Sequence, residues 1–398
     1  MIPGIERLSF YVPTFYLPLS KLAAARGVDV KKYHRGLGQD YMAVVPPDQD
    51  IVSMAAAAGD AALETCDRDT VDAVIVATEG GVDQSKSAAM YVHRLLSLRS
   101  GCMAYEVKQA CAAGTAGLLQ GLAMIRAGIC RRVLLIATDI ARYRLGSPGE
   151  PTQGAGACAV LLSSNPAICT LGTATGVYTE EAMDFWRPAY QDVANVDGKY
   201  SIQMYLKALE ESWRDFGSKT RLSVQDFSRF IFHMPFSALA QKGVRTLSRI
   251  AKSAIPDSQW QSSTIHNRVI GNTYTASLFI GLASLLENDE ADLTGKEVAL
   301  YSYGSGSMGI FMSGRVSPGY QDNLQSSEHR RMLARRQELD IQTYEGYHDH
   351  QLPVDGSALG ISPSSKSRFR LTGIRDHKRI YEGPNAVVAE KVVRSATA

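Results

Sequence analysis

The chain has 398 residues, 45% of them apolar, with 42 Lys and Arg set against 40 Asp and Glu for a net charge of +2. Charges of both signs are interspersed, which argues against a nucleic-acid or membrane surface, and no stretch approaches the roughly 18 apolar residues of a spanning helix. Six cysteines at irregular spacing, with no C-x-x-C pair, argue against a disulfide framework and a structural zinc site and predict reduced thiols.

The first segment, Met1 to Tyr16, carries Pro3, Glu6, Arg7 and Pro13 and lacks the apolar run of a signal peptide, which predicts a cytosolic protein. Val71 to Thr78 (V-D-A-V-I-V-A-T) reads as a buried strand ending at Glu79, and Ala88 to Leu98 as a helix. Cys111 lies in the run A-C-A-A-G-T-A-G. Beyond it Leu118, Leu119, Leu122 and Ile125 recur at three- and four-residue spacing, the period of a helix packed on a core. Cys111 thus falls at a helix N-terminus, where free N–H groups and the helix dipole favour a thiolate. The expectation is a pKa below the free value of about 8.5. Ala112, Ala113 and Gly114 leave room for a substrate, whereas Cys66, Cys102, Cys130, Cys158 and Cys169 read as small apolar core residues.

Val133 to Thr138 and Phe227 to Phe232 are further strands, the second leading into His233, Met234 and Pro235. Asn272 lies in I-G-N-T-Y-T ahead of the helical run Ala276 to Leu286, and Val298 to Tyr303 is a strand running into a Gly-rich turn. Gly304, Gly306 and Gly309 match G-x-G-x-x-G, but Ile310 to Val316 reads as a strand where a dinucleotide fingerprint requires a helix. The glycines are read instead as letting backbone approach a ligand. Tyr320 to Asp340 reads as a charged surface helix and Gln351 to Ser367 as a Pro-, Gly- and Ser-rich loop. Arg375, His377, Lys378 and Arg379 form a basic cluster open to three roles: packing, a dimer salt bridge or phosphate binding.

Strands alternating with helices imply α/β layers. The pattern echoes itself, predicting two similar halves: 1–165 with Glu79 and Cys111, and 166–398 with His233 and Asn272, the latter including a C-terminal extension from about 320. The chemistry belongs at the strand ends where the halves meet. Taken singly, Glu79 fits a cap or an ion pair, His233 a core histidine and Asn272 a turn residue beside Gly271. Together with Cys111 they read as a carbon–carbon bond-forming thioester site. Cys111 would take an acyl group from a thioester. A desolvated Glu79 would remove the weakly acidic α-proton. His233 with Asn272 would donate to a ketone oxygen, and backbone N–H groups of Cys111 and the turn at Ser305 would form an oxyanion hole.

These residues carry a family resemblance. From G-I-E-R-L-S-F-Y-V-P at Gly4 to F-R-L-T-G-I-R-D-H-K-R-I-Y-E ending at Glu382, the chain resembles the 3-hydroxy-3-methylglutaryl-CoA synthases of the bacterial mevalonate type, within the thiolase superfamily. The most specific passages are V-A-T-E at Val76, I-A-T-D at Ile136, S-P-G-E-P-T-Q-G-A-G-A at Ser147, D-F-W-R-P at Asp184, H-M-P-F at His233 and G-N-T-Y-T-A-S at Gly271. The resemblance implies a five-layer α/β/α/β/α fold of two duplicated halves and a cytoplasmic homodimer that condenses acetyl-CoA with acetoacetyl-CoA. No metal or other cofactor is implied beyond the coenzyme A thioesters themselves. By motif, Cys111 is the acylated nucleophile, Glu79 the general acid/base and His233 the residue binding the acetoacetyl group. Tyr143, Thr152, Asn272 and Ser305 line the acyl and pantetheine pocket, and Asp184 and Pro235 shape it.

Two departures bear on substrate. Ala112 stands where the family usually has an aromatic residue, which points to a larger pocket beside Cys111. Ala238 stands where relatives often have lysine, leaving only Lys242 of a basic pair, so an acyl carrier protein remains an alternative carrier for the second substrate, as in the enzymes that install β-branches on polyketide chains. A non-catalytic scaffold of the same fold has no need of the Glu79, Cys111, His233 and Asn272 set. A decarboxylating ketoacyl synthase needs no base at Glu79.

Overall fold

Strands alternate with helices through most of the chain, and residues 2–384, those described by the computed structural model, fall into two copies of one arrangement. In the first, Gly4–Tyr11 pairs antiparallel with Gly154–Ser163, which pairs antiparallel with Arg132–Ala141; Val71–Ala77 and Met103–Val107 follow in parallel. In the second, Cys169–Thr179 pairs antiparallel with Met308–Val316, then comes Glu297–Gly304 antiparallel and Arg229–Phe232 parallel. The two sheets become one nine-stranded ladder where Gly4 and Ile5 meet Thr170 and Cys169.

Alternation along each strand puts both faces of the sheets against helices, which is why the strands read as continuous apolar runs. Ala73, Ile75, Ala77, Val133 and Leu135 face the interior between the sheets, where the helices Ala113–Arg126 and Ser277–Asn288 lie. Val74, Val76, Leu134 and Ile136 face the outer helices Ile51–Ala62 and Ala88–Leu95. On the other sheet Phe230, Phe232, Ala299 and Tyr301 pack on Gly198–Lys219 and Ala238–Ala251, while Ile231, Leu300, Ile310 and Met312 turn inward. The result is the expected α/β/α/β/α sandwich of layers. The central helix Ser277–Asn288 is buried on all sides from Ser277 to Leu286, so its sequence is apolar throughout instead of amphipathic. Gly114 lets the two central helices close up: a Cβ there would lie 2.7 Å from Thr275 O and from the Phe279 ring.

The region 320–340 departs from expectation. It is broken into a short turn of helix at Tyr320–Asn323, a helix at Ser326–Ala334 and a strand at Gln337–Glu338 instead of one helix; the expected charged surface face is there, with Glu328, Arg330, Arg331 and Arg335 exposed, but Tyr320 and His329 are buried. His329 Nδ1 lies 2.5 Å from Glu287 Oε1, its Nε2 accepts the Phe10 N–H at 3.1 Å, and His266 Nε2 meets the other Glu287 oxygen at 2.9 Å. A carboxylate held between two imidazoles draws this helix onto the core despite its charge content.

The extension then crosses to the first half. Gln337–Glu338 pairs parallel with Phe15–Tyr16, and the hairpin Arg370–Arg375/Lys378–Glu382 adds Leu371 and Tyr381 to the core under Ile51–Ala62. Of the basic cluster, Arg379 pairs with Asp50, the N-cap of that helix, at 3.1 Å, while Arg375, His377 and Lys378 stay exposed at the hairpin turn.

Candidate active site

The strand Val71–Ala77 carries the chain to Glu79, and the neighbouring parallel strand Arg132–Ala141 delivers Asp139 beside it. Asp139 is fully buried. Its Oδ1 accepts the Thr78 hydroxyl at 2.8 Å and the Glu79 N–H at 2.9 Å, and its Oδ2 accepts the Thr275 N–H at 3.1 Å and the Thr275 hydroxyl. Arg187 Nη2 donates to the Glu79 carbonyl at 2.6 Å. Glu79 is thereby fixed from both halves.

Part of Glu79 borders a cavity of about 810 Å³ that Gln153, Arg142 and Arg187 also line. Its carboxylate nevertheless sits among protein atoms. Burial, and next the charge of Asp139, push it up to about 8. Asp139 itself is raised by burial to about 6, against the pull of its four donors. The two carboxyls therefore titrate as a pair: burial raises both, and the charge of Asp139 raises Glu79 further.

Cys111 follows Ala110, whose backbone is left-handed at φ 42°, and precedes the helix Ala113–Arg126. Its Sγ donates to Glu79 Oε1 at 2.7 Å. The expected low thiol pKa is overturned: burial, then the adjacent Glu79, push the Cys111 thiol well above its ordinary value. A helix end contributes at most about 2 kcal/mol, too little to offset removal from water beside a carboxylate. At rest Cys111 is a thiol hydrogen-bonded to Glu79.

Around the sulfur stand Ala141 and Tyr274, with Phe185 against them. The Phe185 ring centroid lies 5.6 Å from that of Tyr274 and 6.3 Å from that of Tyr143, both edge-on. Tyr143 thus joins this aromatic wall. Ala112 is buried and faces the strand Glu297–Gly304, since a Cβ on Gly304 would lie 2.7 Å from the Ala112 Cβ. The small residue at 112 fits a tight backbone approach.

His233 follows the strand Arg229–Phe232. Its N–H donates to Tyr301 O at 2.7 Å and its carbonyl accepts the Tyr205 hydroxyl at 3.0 Å. Burial depresses the imidazole to about 3, so it is neutral, and Nδ1 is buried with no hydrogen-bond partner among the described residues. Thr273 Oγ1 and Ser237 Oγ share that condition. Buried polar atoms seldom go unpaired, which makes His233 Nδ1 a group that a ligand could satisfy.

Asn272 and Thr152 are brought together, the Asn272 N–H donating to Thr152 O at 3.2 Å; Asn272 Oδ1 is taken by the Tyr274 N–H at 2.9 Å. Asp184 holds structure in place. Its carboxylate accepts from Tyr303 Oη at 2.8 Å, Ser201 Oγ at 3.0 Å and Gly306 N–H at 2.9 Å, which pins the turn containing Ser305. Pro235 is half-buried ahead of the helix Ala238–Ala251, and Lys242 is exposed on that helix with no ion pair among the described residues. Among the described residues no cluster of His, Cys, Asp or Glu is arranged to hold a metal ion.

Sequence reasoning gave no role to Asp139, Arg187, Tyr274 or Thr275. For Asp139 a signal existed: I-A-T-D ends a strand just as V-A-T-E does, and an acid there needs a partner.

The chain matches the sequence models of two family domains: hydroxymethylglutaryl-coenzyme A synthase N terminal over residues 2–167, and its C terminal counterpart over residues 171–249 and 245–349. It is 39% identical to a hydroxymethylglutaryl-CoA synthase of Enterococcus faecalis over 386 residues, spanning 96% of this chain and 100% of the relative. Among solved structures it is similar to an HMG-CoA synthase complexed with CoA, at TM-score 0.92 and 36% identity over 96% of this chain and 100% of that one. It is also similar to the curacin-pathway HMG synthase in complex with acetyl donor-ACP, at TM-score 0.89 and 30% identity over 96% of this chain and 100% of that one. A two-half layered fold, a cysteine hydrogen-bonded to a raised glutamate, and family matches running through both halves agree: the chain belongs to the hydroxymethylglutaryl-coenzyme A synthase family of condensing acyltransferases.

Proposed function

We propose that the chain condenses acetyl-CoA with acetoacetyl-CoA to give 3-hydroxy-3-methylglutaryl-CoA and free CoA, as a cytoplasmic homodimer serving the mevalonate route to isoprenoids. The observation that carries this reading is the 2.7 Å contact between Cys111 Sγ and Glu79 Oε1. As the sulfur attacks the acetyl thioester, its proton passes to Glu79; the CoA thiolate leaves and is protonated, and Cys111 holds the acetyl group. Glu79, again a carboxylate, takes a proton from the acetyl methyl. The resulting enolate attacks the ketone of acetoacetyl-CoA. His233 Nδ1, buried and without a hydrogen-bond partner among the described residues, supports assignment as the donor to that oxygen when it carries the proton. Water then cleaves the Cys111 thioester. These steps call on no metal or nicotinamide, and Tyr143, Thr152, Asn272 and Ser305 are assigned to the walls of the acyl and pantetheine pocket.

The homodimer reading is supported by the strand Met103–Val107, which closes one edge of the nine-stranded sheet without a further partner strand among the described residues and leaves Met103 exposed. A second reading keeps the same chemistry but delivers the β-ketoacyl group on an acyl carrier protein. The absence of a lysine at Ala238 favours it; the higher identity to the CoA synthase of Enterococcus faecalis supports the first.

The test is mass spectrometry of the protein incubated with acetyl-CoA, then with acetoacetyl-CoA or its carrier-bound form. The expected result is an acetyl adduct on Cys111 that acetoacetyl-CoA discharges as hydroxymethylglutaryl-CoA. An adduct on another cysteine, or discharge only by the carrier-bound form, overturns the primary reading.

A further inference from the structure

Thr275 occupies in the second half the position that Cys111 occupies in the first. Each follows a residue with left-handed backbone, Ala110 at φ 42° and Tyr274 at φ 43°, and each lies two residues ahead of a central helix, Ala113–Arg126 and Ser277–Asn288. Non-glycine residues in that conformation are strained and persist only where surrounding structure imposes them. The duplicated fold therefore makes two elbows. One presents a sulfur. The other presents a hydroxyl, and that hydroxyl turns away from any ligand onto Asp139 Oδ2, with the Thr275 N–H beside it on the same oxygen at 3.1 Å. The opposite oxygen of Asp139 takes the Glu79 N–H at 2.9 Å.

We propose that Thr275 is a positioning residue for the condensation: its hydroxyl keeps Asp139 ionised and oriented beside Glu79, so that the basicity of Glu79 is set from the opposite half of the molecule. This rests on Glu79 being the base of the proposed reaction. The groups that bear on Glu79 are the Asp139 carboxylate, which raises it, and the Cys111 thiol and Arg187 guanidinium, which lower it. The Tyr143 and Tyr274 hydroxyls feel its charge in turn. Asp139 faces Thr78, Thr275 and the Glu79 backbone. Of its stabilising contacts the Thr275 hydroxyl is the largest.

The sign follows. Removing the hydroxyl leaves the buried Asp139 carboxylate less stabilised, so it takes up a proton at higher pH. A neutral Asp139 no longer repels the charge of Glu79, and Glu79 then ionises at lower pH as a weaker base. The experiment loads Cys111 with acetyl and follows single-turnover condensation with acetoacetyl-CoA against pH. In Thr275→Val the midpoint should move down by about 0.5 to 1 pH unit and the plateau rate should fall about tenfold, as expected for a weaker base. Thr275→Ser should restore both. In an Asp139→Asn background Thr275→Val should produce no further shift. A folded Thr275→Val with an unmoved midpoint overturns the proposal, as does a Thr275→Ser that behaves like Thr275→Val. Should Thr275→Val fail to fold, Thr275→Ala gives the same readout. Glu79→Gln run alongside separates the two ideas: if it condenses normally, the reading of Glu79 as base has failed, whatever Thr275 does.

Discussion

Cys111 Sγ and Glu79 Oε1, contributed by a helix start and a strand end 32 residues apart, meet at 2.7 Å. The relationship makes the two groups one acid–base unit. A thiol pushed up by burial and a carboxyl pushed up by burial and Asp139 each become usable because the other is in reach to exchange a proton.

The first consequence is kinetic. Glu79→Gln keeps the shape of the site but cannot accept a proton, so condensation should drop by about 10²- to 10⁴-fold. Acetyl-Cys111 should still accumulate on prolonged incubation with acetyl-CoA, because the sulfur remains. Quenched-flow measurement with intact-mass detection checks both; undiminished condensation would sink the assignment.

The second concerns pH. On the proposed mechanism condensation needs Glu79 as carboxylate, and its pKa is raised to about 8. The active form is a minority below that pH and dominant above it, so the single-turnover rate should climb about tenfold per unit up to pH 7 and level off past 8 to 9. A flat profile between pH 6 and 9 contradicts this.

Third, His233 should contribute no separate titration near 6.5, because burial holds the imidazole neutral with a pKa of about 3. His233→Ala should leave acetylation of Cys111 intact and slow the reaction with acetoacetyl-CoA by about 10²- to 10³-fold, the usual cost of one lost donor at a developing oxyanion. Equal loss in both half-reactions would assign His233 elsewhere.

Fourth, Glu287 should govern acid stability. Burial raises its proton affinity, but the hydrogen bonds from His266 and His329 outweigh burial and bring the carboxyl down to about 2. A depressed acid contributes stability that is complete above its unfolded value near 4.5 and lost as pH falls through 2. The shift corresponds to about 3 kcal/mol. Glu287→Gln should be less stable by about 2 kcal/mol at pH 7 and should flatten the dependence of stability on pH between 5 and 2, measured by chemical denaturation.

Much of the layered architecture was legible because strands buried on both faces declare themselves as β-branched runs, as in V-D-A-V-I-V-A, and because the central helix Ser277–Asn288 is apolar over most of its length. Gly154–Ser163 escaped notice: G-A-G-A-C-A-V-L-L-S is strand built largely from glycine and alanine, where close sheet contacts override propensity. The helix Ser326–Ala334 shows its charged outer face in the sequence, but not its one anchor, buried His329, whose partner Glu287 local charge counting cannot see. In the site, strand-end logic anticipates the positions of Glu79 and His233 just past the strands Val71–Ala77 and Arg229–Phe232. The direction of the Cys111 shift was missed, since sequence reveals the helix end but not the depth at which it sits. Thr275 was invisible because its partner Asp139 lies in the other half of the chain.

One further consequence lies in the small sheet where Phe15–Pro18 is flanked by Tyr41–Val44 and by Gln337–Glu338. During synthesis the second strand emerges early, with one edge bare, and its outer neighbour leaves the ribosome only after both duplicated halves have been made. Until then that edge is open to pairing with other nascent chains. The late segment thus closes that edge, and a protein truncated ahead of Gln337 should aggregate more readily than the full chain, which light scattering during refolding checks.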